Sequence, residues 1–182
     1  MALSVWLDLL ASWNARLDLT AARSAAELVD LMIADAAVLA TRLPERTRIV
    51  DVGTGAGAPG LALALMRPDL EVTLVEPLAK RIAFLRTVVG TLARSDIVLE
   101  RCKGEELRRR GLRWDAAMAR ATLGPDVWLA LGADLVGDRG SVLVLLAKQA
   151  PPEAPGLTLA EDICYTWPGT GAARRLVRYV RP

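Results

Sequence analysis

The chain has 182 residues, enough for one domain with a sizeable core and no need of covalent staples. It is 53% hydrophobic with a formal net charge of only +2, which argues for an ordered globule and against a polyanion binder acting through bulk charge. It contains no histidine and two cysteines, which removes His-based acid–base pairs, Ser-His-Asp triads, nearly all zinc sites and any disulfide framework.

Asp, Arg or Lys interrupts every apolar run before the ~18 residues that a membrane span needs. The opening MALSVWLDLLASW lacks the basic start of a signal peptide, so a cytoplasmic protein without membrane attachment is expected. Residues 3–19 and 25–42 carry apolar side chains at helical spacing, Val5, Leu9 and Leu10 and then Leu28, Leu31, Met32, Val38 and Leu39. Pro44 closes this pair of helices.

Strands and helices then alternate. Strand 48–52 leads to helix 59–67, and strand 71–76 to helix 78–93. Strand 96–101 precedes a short charged helix near 104–110, strand 114–119 precedes helix 125–136, and strand 141–147 ends the regular series. The loop QAPPEAPG, 149–156, breaks the alternation, and 157–166 and 174–180 read as an antiparallel hairpin. The pattern implies a mostly parallel, seven-stranded α/β sheet with helices on both faces and an N-terminal helical extension. The expected layout is one domain, 1–182, with helices over 1–44, a ligand-binding core over 45–148 and C-terminal strands over 149–182.

The stretch RIVDVGTGAGAPGLALALMRP, 48–68, runs a strand through four glycines into a helix. Gly55-x-Gly57-x-x-Gly60 formally matches the dinucleotide fingerprint, and no Gly-Lys-Ser/Thr follows, so a P-loop is excluded. Asp51 stands two residues before Gly53, giving Asp-x-Gly-x-Gly-x-Gly. A carboxylate there suits the cationic α-amino group of S-adenosylmethionine (SAM) and would repel a pyrophosphate. Glu76, 23 residues beyond Gly53, ends the next strand, where an acid can grip ribose hydroxyls. Pro59 is expected at the first helical position. SAM is therefore the expected cofactor, and no metal is expected.

Charge is uneven. Residues 101–113, RCKGEELRRRGLR, hold six basic residues against two acidic, and the last twelve residues hold four arginines and no acid. Such patches can bind phosphates or be merely solvated faces. Trp13 and Trp128 fall at apolar helical positions and are expected in the core, whereas Trp167, beside a glycine-rich turn and arginines, is a candidate RNA contact.

The stretch DVGTGAGAPGLALALMRPDLEVTLVEPLAKRIAFLR, 51–86, closely resembles the RsmG (GidB) family, bacterial methyltransferases acting on guanine N7 of 16S ribosomal RNA. WNARLDLT (13–20), AKR (79–81), ARATL (119–123), LAKQ (146–149) and ARRLV (173–177) resemble further family segments in the same order. The sequence departs from the family where LMIADAAV keeps only Asp35 of an Arg-His-x-x-Asp-Ser element. Lys103 replaces an arginine, and Glu76-Pro77 replaces Asp-Ser.

The resemblance implies a class I SAM-dependent methyltransferase with a Rossmann-like sheet. For the cofactor it implies Asp51, Gly53, Gly55, Gly57, Ala58, Glu76, Gly104, Glu105 and Arg120. For the substrate it implies Lys80, Arg81, Lys148 and Arg174, and for catalysis Arg120, Lys103 and Arg174. The partner is then 16S rRNA or the 30S subunit, and the protein a monomer. Guanine N7 has a lone pair and no proton to remove, so a chain without histidine can run this transfer. An Arg120 guanidinium would contact O6 alone, since forking onto N7 would mask the nucleophile. Two other readings stay open from sequence: a diverged methyltransferase acting on a small molecule or another RNA, and a SAM- or RNA-binding module without turnover.

Overall fold

The computed structural model describes residues 2–121 and 123–182. Seven strands form one sheet in the order β3-β2-β1-β4-β5-β7-β6. They are β1 (Arg48–Val52), β2 (Glu71–Val75), β3 (Val98–Glu100), β4 (Trp114–Arg120), β5 (Val136–Leu146), β6 (Thr158–Thr166) and β7 (Ala173–Val180). β1 to β5 pair in parallel and β7 runs antiparallel between β5 and β6. The central strands are apolar on both faces, as a covered parallel sheet requires: Ile49, Val50, Val52, Val72, Leu74 and Val75 are all buried. Edge strand β6 instead alternates between exposed and half-buried residues.

Helices cover both faces. α4 (Gly60–Met66) and α5 (Ala79–Thr91) join the N-terminal helix α1 (Ala2–Leu17) in one core, which includes Trp6, Leu10, Leu61, Phe84 and Leu85. α6 (Gly104–Arg109) and α7 (Pro125–Leu135) close the other around Leu107, Trp128 and Leu131. α4 is apolar all round because it sits inside the first core. Among the described residues, no helix is long and apolar enough to cross a membrane.

Several expected boundaries shift. The strand expected over 96–101 is only Val98–Glu100. The strand expected over 141–147 starts at Val136, which pairs with Trp114 before the ladder is interrupted and resumes at Ser141. Pro59 is the N-cap of α4 behind a cis Ala58–Pro59 bond, and Gly60 is the first helical residue. The helix expected over 25–42 is in three pieces: α2 (Ala25–Val29), a π-helical turn (Asp30–Ala34) and α3 (Asp35–Ala40).

That π turn explains how the N-terminal segment grips the C-terminal hairpin. Winding with i→i+5 hydrogen bonds brings residues five apart toward one side of a helix, and Asp30 and Asp35 both address the β6–β7 hairpin. Asp30 accepts from the Gly169 and Thr170 amides (2.9 and 2.7 Å) and from the Thr170 hydroxyl (2.6 Å). Burial raises the Asp30 pKa, but these bonds and the Arg174 charge hold it below its ordinary value. Asp35 accepts from the Tyr165 hydroxyl (2.7 Å), the Trp167 indole (2.8 Å) and Arg120 Nη1 (3.0 Å).

Asp35→Ala is expected to destabilise the fold by about 3–5 kcal/mol, because Arg120 loses its counter-charge and the buried Trp167 indole and half-buried Tyr165 hydroxyl lose their acceptor. Asp35→Asn should cost less. Urea denaturation of the three proteins measures the difference.

Candidate active site

A cleft of about 780 Å³ opens at the carboxyl ends of the parallel strands. It lies where β1 and β4 adjoin and the strand order reverses, the place where open α/β sheets collect ligands. One wall is the β1–α4 loop with Glu76 and Arg81. Arg120, Trp167, Arg174 and Asp35 also line the cleft.

The loop has the backbone that its glycines allow. Gly53, Gly55 and Gly57 have φ of 77°, 63° and 108°, the left-handed region that side chains disfavour. The Gly53 and Thr54 amides bond to the Val75 carbonyl, fastening the loop to the end of β2. Glu76, buried, accepts from the Gly55 amide (3.0 Å) and the Leu78 amide (2.9 Å), and Arg81 Nη1 lies 3.5 Å from it. The Trp6 indole donates to the Ala56 carbonyl (3.1 Å), so α1 supports the loop from behind.

Asp51 is 1% exposed and faces inward beneath the loop. Its Oδ2 accepts from the Gly60 amide (2.9 Å), whose glycine is required because a Cβ there would sit 2.6 Å from that oxygen. Oδ1 of Asp51 and the hydroxyl of Thr54 are buried and complete no hydrogen bond. Burial pushes the Asp51 carboxyl up to about 6, against the pull of the neighbouring Thr54 hydroxyl, the Gly60 amide and the Arg120 charge. Asp51 does not line the cleft, whereas Thr54 does. Asp51, expected against the ligand, thus lies beneath the loop, while Thr54, which no sequence pattern singles out, lines the cleft.

The expected site residues divide accordingly. Gly53, Gly55, Ala58, Glu76, Arg81, Arg120 and Arg174 line the cleft. Gly57 is turned away, its α-carbon against Leu61 and Leu85. Lys80 Nζ donates to the Leu17 carbonyl (2.8 Å) and caps the end of α1. Lys103 is the exposed N-cap of α6, and Gly104 packs against Leu131 and Val52. Lys103, Gly104, Glu105 and Lys148 do not line the cleft. Gly104 packs between Leu131 of α7 and Val52 of β1 with Lys103 exposed ahead of it, and at the end of β5 the lining stops at Ala147, one residue before Lys148.

The basic patches also divide. No residue of 101–113 lines the cleft, and Arg110 is spent on Glu100 and Glu106. In the tail, Arg175 pairs with Asp162 and Arg178 with Glu161, leaving Arg174 as the one arginine of 171–182 that reaches the cleft.

Arg120 is no solvated surface charge: besides Asp35 it donates to the Leu31 carbonyl (2.6 Å). Trp128 is buried as expected, and Trp13 is half-buried with its ring 5.5 Å from Phe84. Trp167, expected as an open stacking surface, is 6% exposed, and Arg174 lies over its ring. In the WNARLDLT segment, Asn14 Oδ1 accepts from the Leu19 and Thr20 amides (2.6 and 2.8 Å), which turns both residues toward the cleft. Thr122, in the ARATL segment, lies outside the described residues.

Comparison with known proteins gives the lineage. The family model for rRNA small subunit methyltransferase G matches residues 1–165. A ribosomal RNA small subunit methyltransferase G of Anaeromyxobacter dehalogenans (strain 2CP-C) is 37% identical, covering 97% of this chain and 86% of that protein. One from Mycobacterium leprae (strain TN) is 39% identical over 77% of this chain and 58% of its own. Among solved structures, TrmN from Thermus thermophilus matches 93% of this chain and 53% of its own with a TM-score of 0.65 at 22% identity. Aeropyrum pernix fibrillarin, solved with natively bound S-adenosyl-L-methionine, covers 80% of this chain and 73% of its own with a TM-score of 0.60 at 18% identity. These likenesses extend the class I methyltransferase fold to this sheet, and the sequence matches go further: the chain belongs to the rRNA small subunit methyltransferase G family.

Proposed function

We infer that this chain is a SAM-dependent methyltransferase that places a methyl group on N7 of a guanine in 16S ribosomal RNA, acting in the cytoplasm. The observation that carries the reading is a cleft at the strand-order reversal, edged by a left-handed glycine loop and the buried Glu76, in a chain of this family. The residues present fit SAM. Thr54 lines the cleft with its hydroxyl buried beside Asp51, and Glu76 stands at the end of β2, where it can receive ribose hydroxyls. Asp51, beneath the loop, places a carboxylate charge where it favours a cationic α-amino group. Loop backbone at Gly53, Gly55 and Ala58 allows close approach.

When bound, SAM supplies an electrophilic methyl group on a sulfonium. The chain's own task is orientation, since the N7 lone pair needs no base. Arg120 lines the cleft and is held through its Nη1, which donates to both Asp35 and the Leu31 carbonyl. That geometry suits one contact to a purine edge and leaves N7 open. The small-molecule alternative loses ground to the family assignment. It keeps one supporting observation, that the 101–113 patch stays outside the cleft; in the RNA reading those side chains touch the phosphate backbone at a distance from the reacting base.

Labelled SAM incubated with 30S subunits lacking the modification is expected to transfer methyl to a guanine N7, read by mapping the modified base. Transfer to no RNA, with SAM binding intact, would reject the substrate. Arg120→Ala is expected to lower kcat/KM by about 10²-fold while SAM affinity changes only a few-fold.

Asp51 gives a pH signature. Its folded pKa is raised, so the native state is favoured while the group is protonated. That advantage is present below about pH 4 and lost as the pH rises through about 6, amounting to about 3 kcal/mol if the whole shift is expressed. Relative to Asp51→Asn, the parent is expected to lose stability between pH 4 and 6.5 in urea titrations. SAM affinity should strengthen over the same window in the parent alone.

A further inference from the structure

Arg174 and Trp167 form a stacked pair on the lining of the cleft. The guanidinium carbon of Arg174 lies 3.5 Å from the centroid of the Trp167 ring, and both residues line the cleft. Each member is held. The Trp167 indole donates to Asp35 (2.8 Å), and its amide closes the hairpin onto the Ala172 carbonyl (2.9 Å). Arg174 Nη1 donates to the Ala173 carbonyl (2.9 Å), and its backbone is paired across the sheet with Tyr165.

A guanidinium laid on an indole at this distance is a rigid, charged plane. One face is occupied by the ring and the other is turned away from it. The same cleft is lined by Arg120 and by Gly53, Gly55 and Ala58 of the glycine loop.

We propose that the Arg174 guanidinium, backed by Trp167, is the platform on which the target base stacks, and that stacking sets the base's orientation toward the methyl donor. The identity of the base as guanine rests on the function inferred above; the stacking platform itself rests on the pair's geometry. Planar guanidinium groups stack on bases as aromatic rings do, and the positive charge favours an electron-rich purine. Lysine keeps the charge but has no plane, so Arg174→Lys separates stacking from attraction to a phosphate. Trp167→Leu removes the backing ring while keeping an apolar side chain.

The test is a titration of the full chain, saturated with S-adenosylhomocysteine, with guanosine 5′-monophosphate and, separately, with ribose 5-phosphate, which carries the phosphate and no base. Guanosine monophosphate is expected to bind about tenfold or more tightly than ribose 5-phosphate. Arg174→Lys and Trp167→Leu should each reduce that binding by about tenfold, with S-adenosylhomocysteine affinity and melting temperature of Arg174→Lys unchanged. Three results would overturn the platform: equal binding of the two probes, an Arg174→Lys variant that binds like the parent while Arg174→Ala does not, or no nucleotide binding by the parent. The first two make Arg174 a phosphate ligand. Failure of methyl transfer to 30S subunits, with these binding differences present, would reject the ribosomal substrate and leave the stacking subsite standing.

Discussion

The arrangement of the cleft depends on one buried carboxylate. Asp35 receives hydrogen bonds from Arg120 at the end of β4 and from Tyr165 and Trp167 on the C-terminal hairpin. A buried carboxylate that lost these donors would face the full cost of desolvation, so the three elements stay together or the segment opens. Burial and the Asp35 charge together push the Tyr165 hydroxyl well above its ordinary pKa, so it remains a donor. One side chain therefore sets where the arginine of β4 stands and where the indole beneath Arg174 lies. This gives the N-terminal helices a physical role: they form a wall of the site as well as covering the sheet.

The glycine loop is organised by backbone. It is held by the Val75 carbonyl of β2, by Glu76, and by the indole of Trp6 on α1. Asp51 sits beneath it, its one partnered oxygen on the Gly60 amide and the other with no partner. An acid in that state resists ionisation, and a cationic ligand group nearby relieves the strain electrostatically. Loop geometry is thus tied to a buried charge that does not itself reach the cleft surface.

Much of this was legible in the chain. Apolar strands alternating with helices gave the parallel sheet. The Asp-x-Gly-x-Gly-x-Gly run marked the loop, and its match to family segments pointed to the methyltransferase lineage. Glu76 and Arg120, expected at strand ends, and Arg174, expected from the family segment ARRLV, all line the cleft. Lys103, Gly104, Glu105 and Lys148, expected beside the same strand ends or from the same resemblance, do not line it. Proximity to a strand end does not say whether the following turn folds inward or against a neighbouring helix. Asp35 was visible as a retained residue of a family element, but nothing local assigns it partners 85, 130 and 132 positions away.

The parallel sheet, the loop and the chemistry open to the protein are written in the chain. Those follow from short-range periodicity, glycine's access to positive φ, and the absence of histidine. Which charges line the cleft is set by packing. Arg174 reaches the cleft while Arg175 and Arg178 are neutralised by Asp162 and Glu161, although all three read alike in the tail. The reason is physical: a side chain's role is set by the long-range partner that satisfies or leaves open its charge, and such partners come together only when the hairpin docks on the N-terminal helices.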